Sequence, residues 1–376
     1  MKTIIKVMIL LAAVALASCG NDRYEMVTVV NKDGSCTRQL TMHVDSTQLT
    51  NGTLDTSKIA VRLDRQWKLT WSTRGSSVRH PFPMTRMQYD LIKTALHGSK
   101  QVSDVVTVTA AASWDNAEQM GQNTHFALSG FTITPQAKLT RSFKWFYTDY
   151  YYRETYPRQR IAFSVPLTRY LSRDEVGYWF AGRPNLGKGM SGSELDDLMS
   201  GIKDKYSKWL CVNFFEWSFD AIVKNYASVT GAPVSKQQFV ALHDSLSRYF
   251  AKKDGEIKDL DNDQVSQCYR EFFHSGAYSA VLDNDDMMAA QQQAVENFMR
   301  LSNLQIDYQL VMPGKITNHN DGIITKGAIK YRLTGDRLLP GDYTLAAQSR
   351  VPNTWAFIVT ALLIIITVVL IVIRKK

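Results

Sequence analysis

The chain has 376 residues, 45% of them apolar and 11% aromatic, which excludes a disordered chain and leaves room for one large or two modest domains. The net charge of +9 lies partly at the ends: 44 basic residues, less Lys2, Lys6, Arg374, Lys375 and Lys376, leave 39 against 35 acidic ones. So mild an excess calls for no nucleic acid as a partner.

Residues 1–18 have a basic start and an apolar run from Val7 to Ala17, the layout of a secretory signal peptide. The run ends Leu16-Ala17-Ser18-Cys19-Gly20. These positions resemble the lipobox of bacterial lipoproteins. The resemblance implies that the Cys19 thiol is alkylated with diacylglycerol and that cleavage leaves it as the acylated first residue. An ordinary cleaved signal peptide with an incidental cysteine is the alternative. Acyl chains bind membrane by about 0.8 kcal/mol per buried methylene, so a multiply acylated terminus is a stable anchor. Cys36, Cys211 and Cys268 remain, an odd number that defines no disulfide framework. A Cys211–Cys268 bridge and three buried thiols both fit.

Residues 19–156 read as β-rich. Glu25 to Val30 is a strand, Asn31-Lys32-Asp33-Gly34 is turn chemistry, and the return strand alternates. Leu40, Met42 and Val44 fall on one face of it, with Thr37, Gln39, Thr41 and His43 on the other. Trp67, Leu69 and Trp71 alternate in a further strand. Thr85 to Leu96 has helical spacing at Met87, Leu91, Ile92 and Leu96, stopping at Gly98. Val102 to Ala112 is a strand. His125–Leu139 and Arg141–Tyr156 read as two hairpin-like segments, the second with Phe143, Trp145 and Tyr147 on one face. Its aromatic and basic run, Arg141 to Arg160, fits either a surface for anionic headgroups or a partner protein, or a two-sided strand with an aromatic face under the helices.

Residues 157–303 read as a helical insertion. Ser172-x-x-Glu175 and Ser191-x-x-Glu194 are capping boxes. The second opens a long helix with Leu195, Leu198, Met199, Ile202, Tyr206 and Trp209 on a stripe that runs on towards Tyr226. Ser235-x-x-Gln238 opens a helix to about Lys252. Asp263–His274 and Asp285–Leu301 complete the block.

Residues 304–350 return to strands as the C-terminal part of the same β domain. Ile306, Tyr308, Leu310 and Met312 share a face, Asn320-Asp321-Gly322 signals a tight hairpin, and Ala328–Leu333 and Tyr343–Ala347 are the last strands. Residues 354–373 hold no charge, Pro or Gly, and as a helix would span about 30 Å, a bilayer's apolar thickness. The predicted class is α+β: a mainly antiparallel sheet interrupted by a helical insertion, then one transmembrane helix. Arg374, Lys375 and Lys376 form a basic tail that prefers the cytoplasmic side, and Trp355 would sit at the opposite interface. The reading is a bacterial cytoplasmic (inner) membrane protein with its main domain on the periplasmic or extracellular side. Two tethers on one face predict that the first and last strands lie near each other at the base.

Chemical motifs are incomplete. Gly182 to Gly189 matches a phosphate loop except at its last place, Gly189, which should be Ser or Thr. A plain helix connector fits it as well. Asp259-x-Asp261-x-Asp263 starts like a calcium loop, but Gln264 and Arg270 stand where Gly and Glu are needed. Acidic residues there, and at Asp283 to Asp286, suit a helix N-terminus. Cys211, His243, Cys268 and His274 share the helical block without metal-site spacing. His243 and Asp244 are neighbours on a helix and are not expected to face each other. Gly189-Met190-Ser191-Gly192-Ser193 lacks the last glycine of a nucleophile elbow. No catalytic, metal or cofactor-binding residue is assigned, and no cofactor is implied.

Asp33-Gly34-Ser35 early and Met312-Pro313-Gly314 to Asn318 late, followed by a turn, a strand and an anchored tail, resemble the LppM-type domain of membrane lipoproteins. The resemblance implies lipid or glycolipid association and supplies no catalytic residues. Partners follow as membrane lipids, through Cys19 acylation and the last helix, and an envelope protein. The expected function is a non-enzymatic, doubly anchored binding module. A lipid or glycolipid carrier and a motif-less envelope hydrolase are the alternatives.

Overall fold

The computed structural model describes residues 23–374, apart from 45–48, 57–58, 60, 74, 99–105, 129–130, 162, 183 and 254–261. The chain divides into two compact units. One, a β unit, is built from 22–158 and 304–376; the other, a helical unit, holds 159–303.

The β unit begins with β1 (Arg23–Val30) and β2 (Cys36–Val44), an antiparallel hairpin closed by Asn31 to Ser35. Gly34 takes φ +100° there, which a residue with a Cβ rarely adopts. Two short strands, β3 (Leu49–Thr50) and β4 (Thr53–Leu54), pair with each other. β5 (Lys68–Thr73), β6 (His80–Pro81), helix α1 (Arg86–Gly98) and β7 (Val106–Trp114) follow. Helix α2 (Ala117–Gln122) and the β8–β9 pair (Phe126–Leu128 and Phe131–Ile133) lead to β10 (Gln136–Phe143) and β11 (Tyr147–Tyr156). After the helical unit come β12 (Gln305–Val311), β13 (Lys315–His319), β14 (Ile323–Thr325), β15 (Ala328–Thr334) and β16 (Tyr343–Pro352).

These strands form an eight-stranded sheet, β14-β15-β12-β1-β2-β7-β5-β6, and a four-stranded sheet, β10-β11-β16-β13. Pairing is antiparallel except between β1 and β12, which are parallel. A parallel pair needs a long crossover. Here everything from β2 to the last helix of the helical unit lies between the two partners. The alternation read in β2, β5 and β12 is the buried face of the large sheet: Leu40, Met42, Trp71, Ile306, Tyr308 and Leu310 are all at or below 5% exposure.

Several expectations are corrected. Arg141 lies inside β10, and the hairpin turn is Lys144-Trp145-Phe146, so Phe143 ends β10 while Trp145 sits in the exposed turn and not on a strand face with it. The inner face of β11 packs on the large sheet: the Tyr150 hydroxyl donates to the Lys32 carbonyl at 2.9 Å, and Tyr152 meets Tyr308. Asn320-Asp321-Gly322 joins strands of different sheets; the true hairpin turn is Lys326-Gly327, both at positive φ, between β14 and β15. Met87 and Leu91 on α1 are exposed, while Ile92 is buried. Because the β1–β2 turn lies beside Tyr150 and Arg141, near the β10–β11 tip, β1 starts at the far end of the sandwich from the end of β16.

In the helical unit, α3 (Arg173–Ala181) and α4 (Gly192–Lys224) both begin at the capping boxes read from sequence. At about 1.5 Å per residue α4 is roughly 50 Å long. Its first turns are exposed, including Leu195 and Met199, and packing starts at Ile202 and Trp209. The Ser235 box opens α5 (Lys236–Ala241), which breaks at Leu242 before α6 (His243–Lys253). Helices α7 (Asn262–Phe273), α8 (Ser279–Leu282) and α9 (Ala289–Asn303) follow. Phe215, Phe219, Phe239, Leu246, Tyr269 and Tyr278 form the core of this unit. No disulfide joins Cys36, Cys211 or Cys268.

The chain closes with α10 (Thr354–Arg374), which starts two residues after β16 and is long and apolar enough to cross a membrane by length and composition. The coarse architecture read from sequence, mixed α+β with antiparallel-rich sheets and one terminal apolar helix, is that of the structure.

Candidate functional site

The outward face of the four-stranded sheet carries a polar groove. Strand alternation sends Lys138 and Thr140 of β10, Tyr151 and Arg153 of β11, and Gln348 of β16 to one side. With Asn318, His319 and Asn320 they line a groove of about 520 Å³. The β-bulge at Ile316–Asn318 re-aims the end of β13 over it. Asn320 pins that end: its backbone N–H donates to the Ala346 carbonyl at 3.1 Å and its Oδ1 accepts from the Ala346 N–H at 2.7 Å.

This face is cationic. Lys138, Arg153, Lys315 and Arg350 stand on it, and Asp149 is the one acid among its outward strand positions. Asp149 is already held: Arg350 Nε donates to its Oδ1 at 2.7 Å, and the guanidinium lies 3.8 Å from the Tyr147 ring centre. The Asp149 hydrogen bond holds Arg350 above its ordinary value. The groove proper, between Lys138 and Arg153, has no carboxylate in its lining. His319 Nδ1 is buried there with no hydrogen-bond partner among the described residues. Such a surface suits an anion and lacks a paired acid and base.

Behind the groove, between the sheets, Arg38 and Glu154 are fully buried and bonded in a fork, with Nη2 at 2.8 and 2.9 Å from the carboxylate oxygens. Arg38 also donates to the Thr28 and Thr124 hydroxyls, and Glu154 accepts from Tyr152, Tyr156 and Tyr308. Burial works most strongly against the Arg38 charge, but the Glu154 carboxylate together with Tyr308, Tyr156 and Tyr152 outweighs it and holds the guanidinium well above its usual value. Burial, then the Glu154 charge, pushes all three tyrosines up. Each donor is matched, so this cluster locks the sheets together and is closed to substrate. It was missed in the sequence. Its signal was parity, since Arg38 shares the inward face of Leu40 and Glu154 that of Tyr152.

The helical unit has an apolar cleft of about 240 Å³ between α4, α6 and α7, lined by Cys211, Phe214, Phe215, Phe250 and Val265. Nearby, His243 contacts Asp244 after all, Nδ1 to Oδ1 at 3.1 Å, in the first turn of α6. Its Nε2 lies 3.0 Å from Glu216 of α4, a partner that sequence spacing did not reveal. Burial pulls the imidazole down, but the hydrogen bonds to Glu216 and Asp244 leave it raised above 6.5. Among the described residues no group of three or more His, Cys, Asp or Glu is placed to hold a metal. Gly182, in the phosphate-loop-like stretch, is the left-handed C-cap of α3.

Of the anchor residues, Trp355 lies at the start of α10, 5.3 Å from Trp145 and 6.4 Å from Phe143 between ring centres, and Arg374 ends the helix. Cys19, Lys375 and Lys376 fall outside the described residues, as do Asp259 and Asp261. No protein-family model, curated protein or solved structure matches the chain.

Proposed function

We propose that the protein is a non-enzymatic binding module of the bacterial envelope. In this reading it is held at the cytoplasmic membrane by acylated Cys19 and by α10, with both units on the periplasmic or extracellular side. Its groove takes an acidic segment of a partner protein. The supporting observation is the carboxylate-free lining between Lys138 and Arg153 on the strand pair beside β16, which continues into α10. Complementary charge steers such a partner and makes binding salt-dependent.

The test is titration of the full chain in detergent micelles with a fluorescent polyglutamate peptide. Binding that weakens with salt, and falls at least about tenfold in a Lys138→Glu/Arg153→Glu variant, a loss of about 1.4 kcal/mol, is expected. Absence of binding, or equal binding by the variant, overturns the proposal. The apolar cleft lined by Phe214, Phe215 and Phe250 favours a second reading, carriage of a lipid or glycolipid chain.

A further inference from the structure

We infer that the β10–β11 tip, Phe143-Lys144-Trp145-Phe146, is a membrane-inserting element that enters the same bilayer interface as α10. The inference rests on reading α10 as a membrane span. Turns in water favour Gly, Asn, Asp and Ser. This tip has three aromatics, with Phe143 60%, Trp145 45% and Phe146 39% exposed. Exposed aromatics of this kind belong at the headgroup level, where one end of the ring is apolar and the other wet.

The tip is also fitted for a medium without water. A turn entering lipid must satisfy its own backbone groups. Asn353 does this: its Nδ2 donates to the carbonyls of Lys144 at 2.7 Å and Trp145 at 3.2 Å, and its N–H donates to that of Phe146 at 2.9 Å. The Trp145 indole N–H donates to Thr360 Oγ1 at 2.9 Å, and Phe146 packs on Phe357 with centres 4.9 Å apart. Thr360 is six residues into α10, about 9 Å along its axis, so the indole lies at a depth that the helix itself occupies. Lys144 has a long stem that lets its charge reach anionic headgroups while the rings go deeper. The occupant of this surface is therefore the lipid interface around α10.

The experiment reconstitutes the full chain into phosphatidylcholine–phosphatidylglycerol vesicles with bromine on the upper acyl chain, which quenches nearby tryptophan. Trp145→Phe keeps an aromatic at an exposed site. It is expected to remove a share of lipid-quenched emission comparable to that removed by Trp355→Phe. If Trp355→Phe removes it and Trp145→Phe does not, the tip lies outside the lipid and this inference falls alone. If neither variant changes it, α10 is not in the bilayer and the membrane reading falls with it.

Discussion

At the scale of single residues, the decisive pair is Arg38 and Glu154. Taking both out of water is costly, and their fork, three tyrosine hydroxyls and two threonines offset that cost. Removing one partner strands the other. Arg38→Met should therefore cost about 3–5 kcal/mol in urea unfolding. Arg38→Met combined with Glu154→Met should cost less than Arg38→Met alone, since no buried charge is left. A double variant at least as destabilised as the single one would show that the pair contributes net stability. The strand parity of both residues was legible in the sequence. Their partnership was not, because 116 positions separate them and no local pattern encodes which sheet faces which.

At the scale of elements, what was legible is what is locally determined. The capping boxes at Ser172, Ser191 and Ser235 each start a helix in the structure, because the Ser and Glu or Gln side chains satisfy the first free N–H groups. The alternating strands were legible for the same reason. Which strands pair was less so: Asn320-Asp321-Gly322 has hairpin chemistry yet serves a crossing between sheets, while Lys326-Gly327, a poorer match, makes the hairpin. The groove depended on the bulge in β13, which composition does not announce. Gly314 marks a second crossing, from β12 to β13. Its φ is +76°, and a Cβ there would meet the Arg350 carbonyl and Val351. Gly314→Ala should cost about 1–3 kcal/mol, seen as a lower thermal midpoint, and should disturb Arg350 and the edge of the groove. An unchanged midpoint would mean that the crossing relaxes freely.

At the scale of the whole molecule, the side of the sandwich on which β1 begins has a mechanical consequence. Lys32 and Asp33 sit level with Tyr150 and Arg141, and Arg38 level with Glu154, so β1 and β2 run alongside β11. Tyr24 pairs with Met42, six residues up β2 from Cys36, roughly 20 Å from the β1–β2 turn at about 3.3 Å per residue. Cys19 precedes Arg23 by four residues, a reach of about 14 Å at most. Were Cys19 acylated and α10 in the same bilayer, so short a reach would bring the start of β1 close to that surface as well. Cys19→Ala should yield an uncleaved, unlipidated chain that still resists carbonate extraction through α10. Normal processing of Cys19→Ala would refute lipidation. Attached in this way, the β unit would carry two membrane contacts, one at the start of β1 and one at α10.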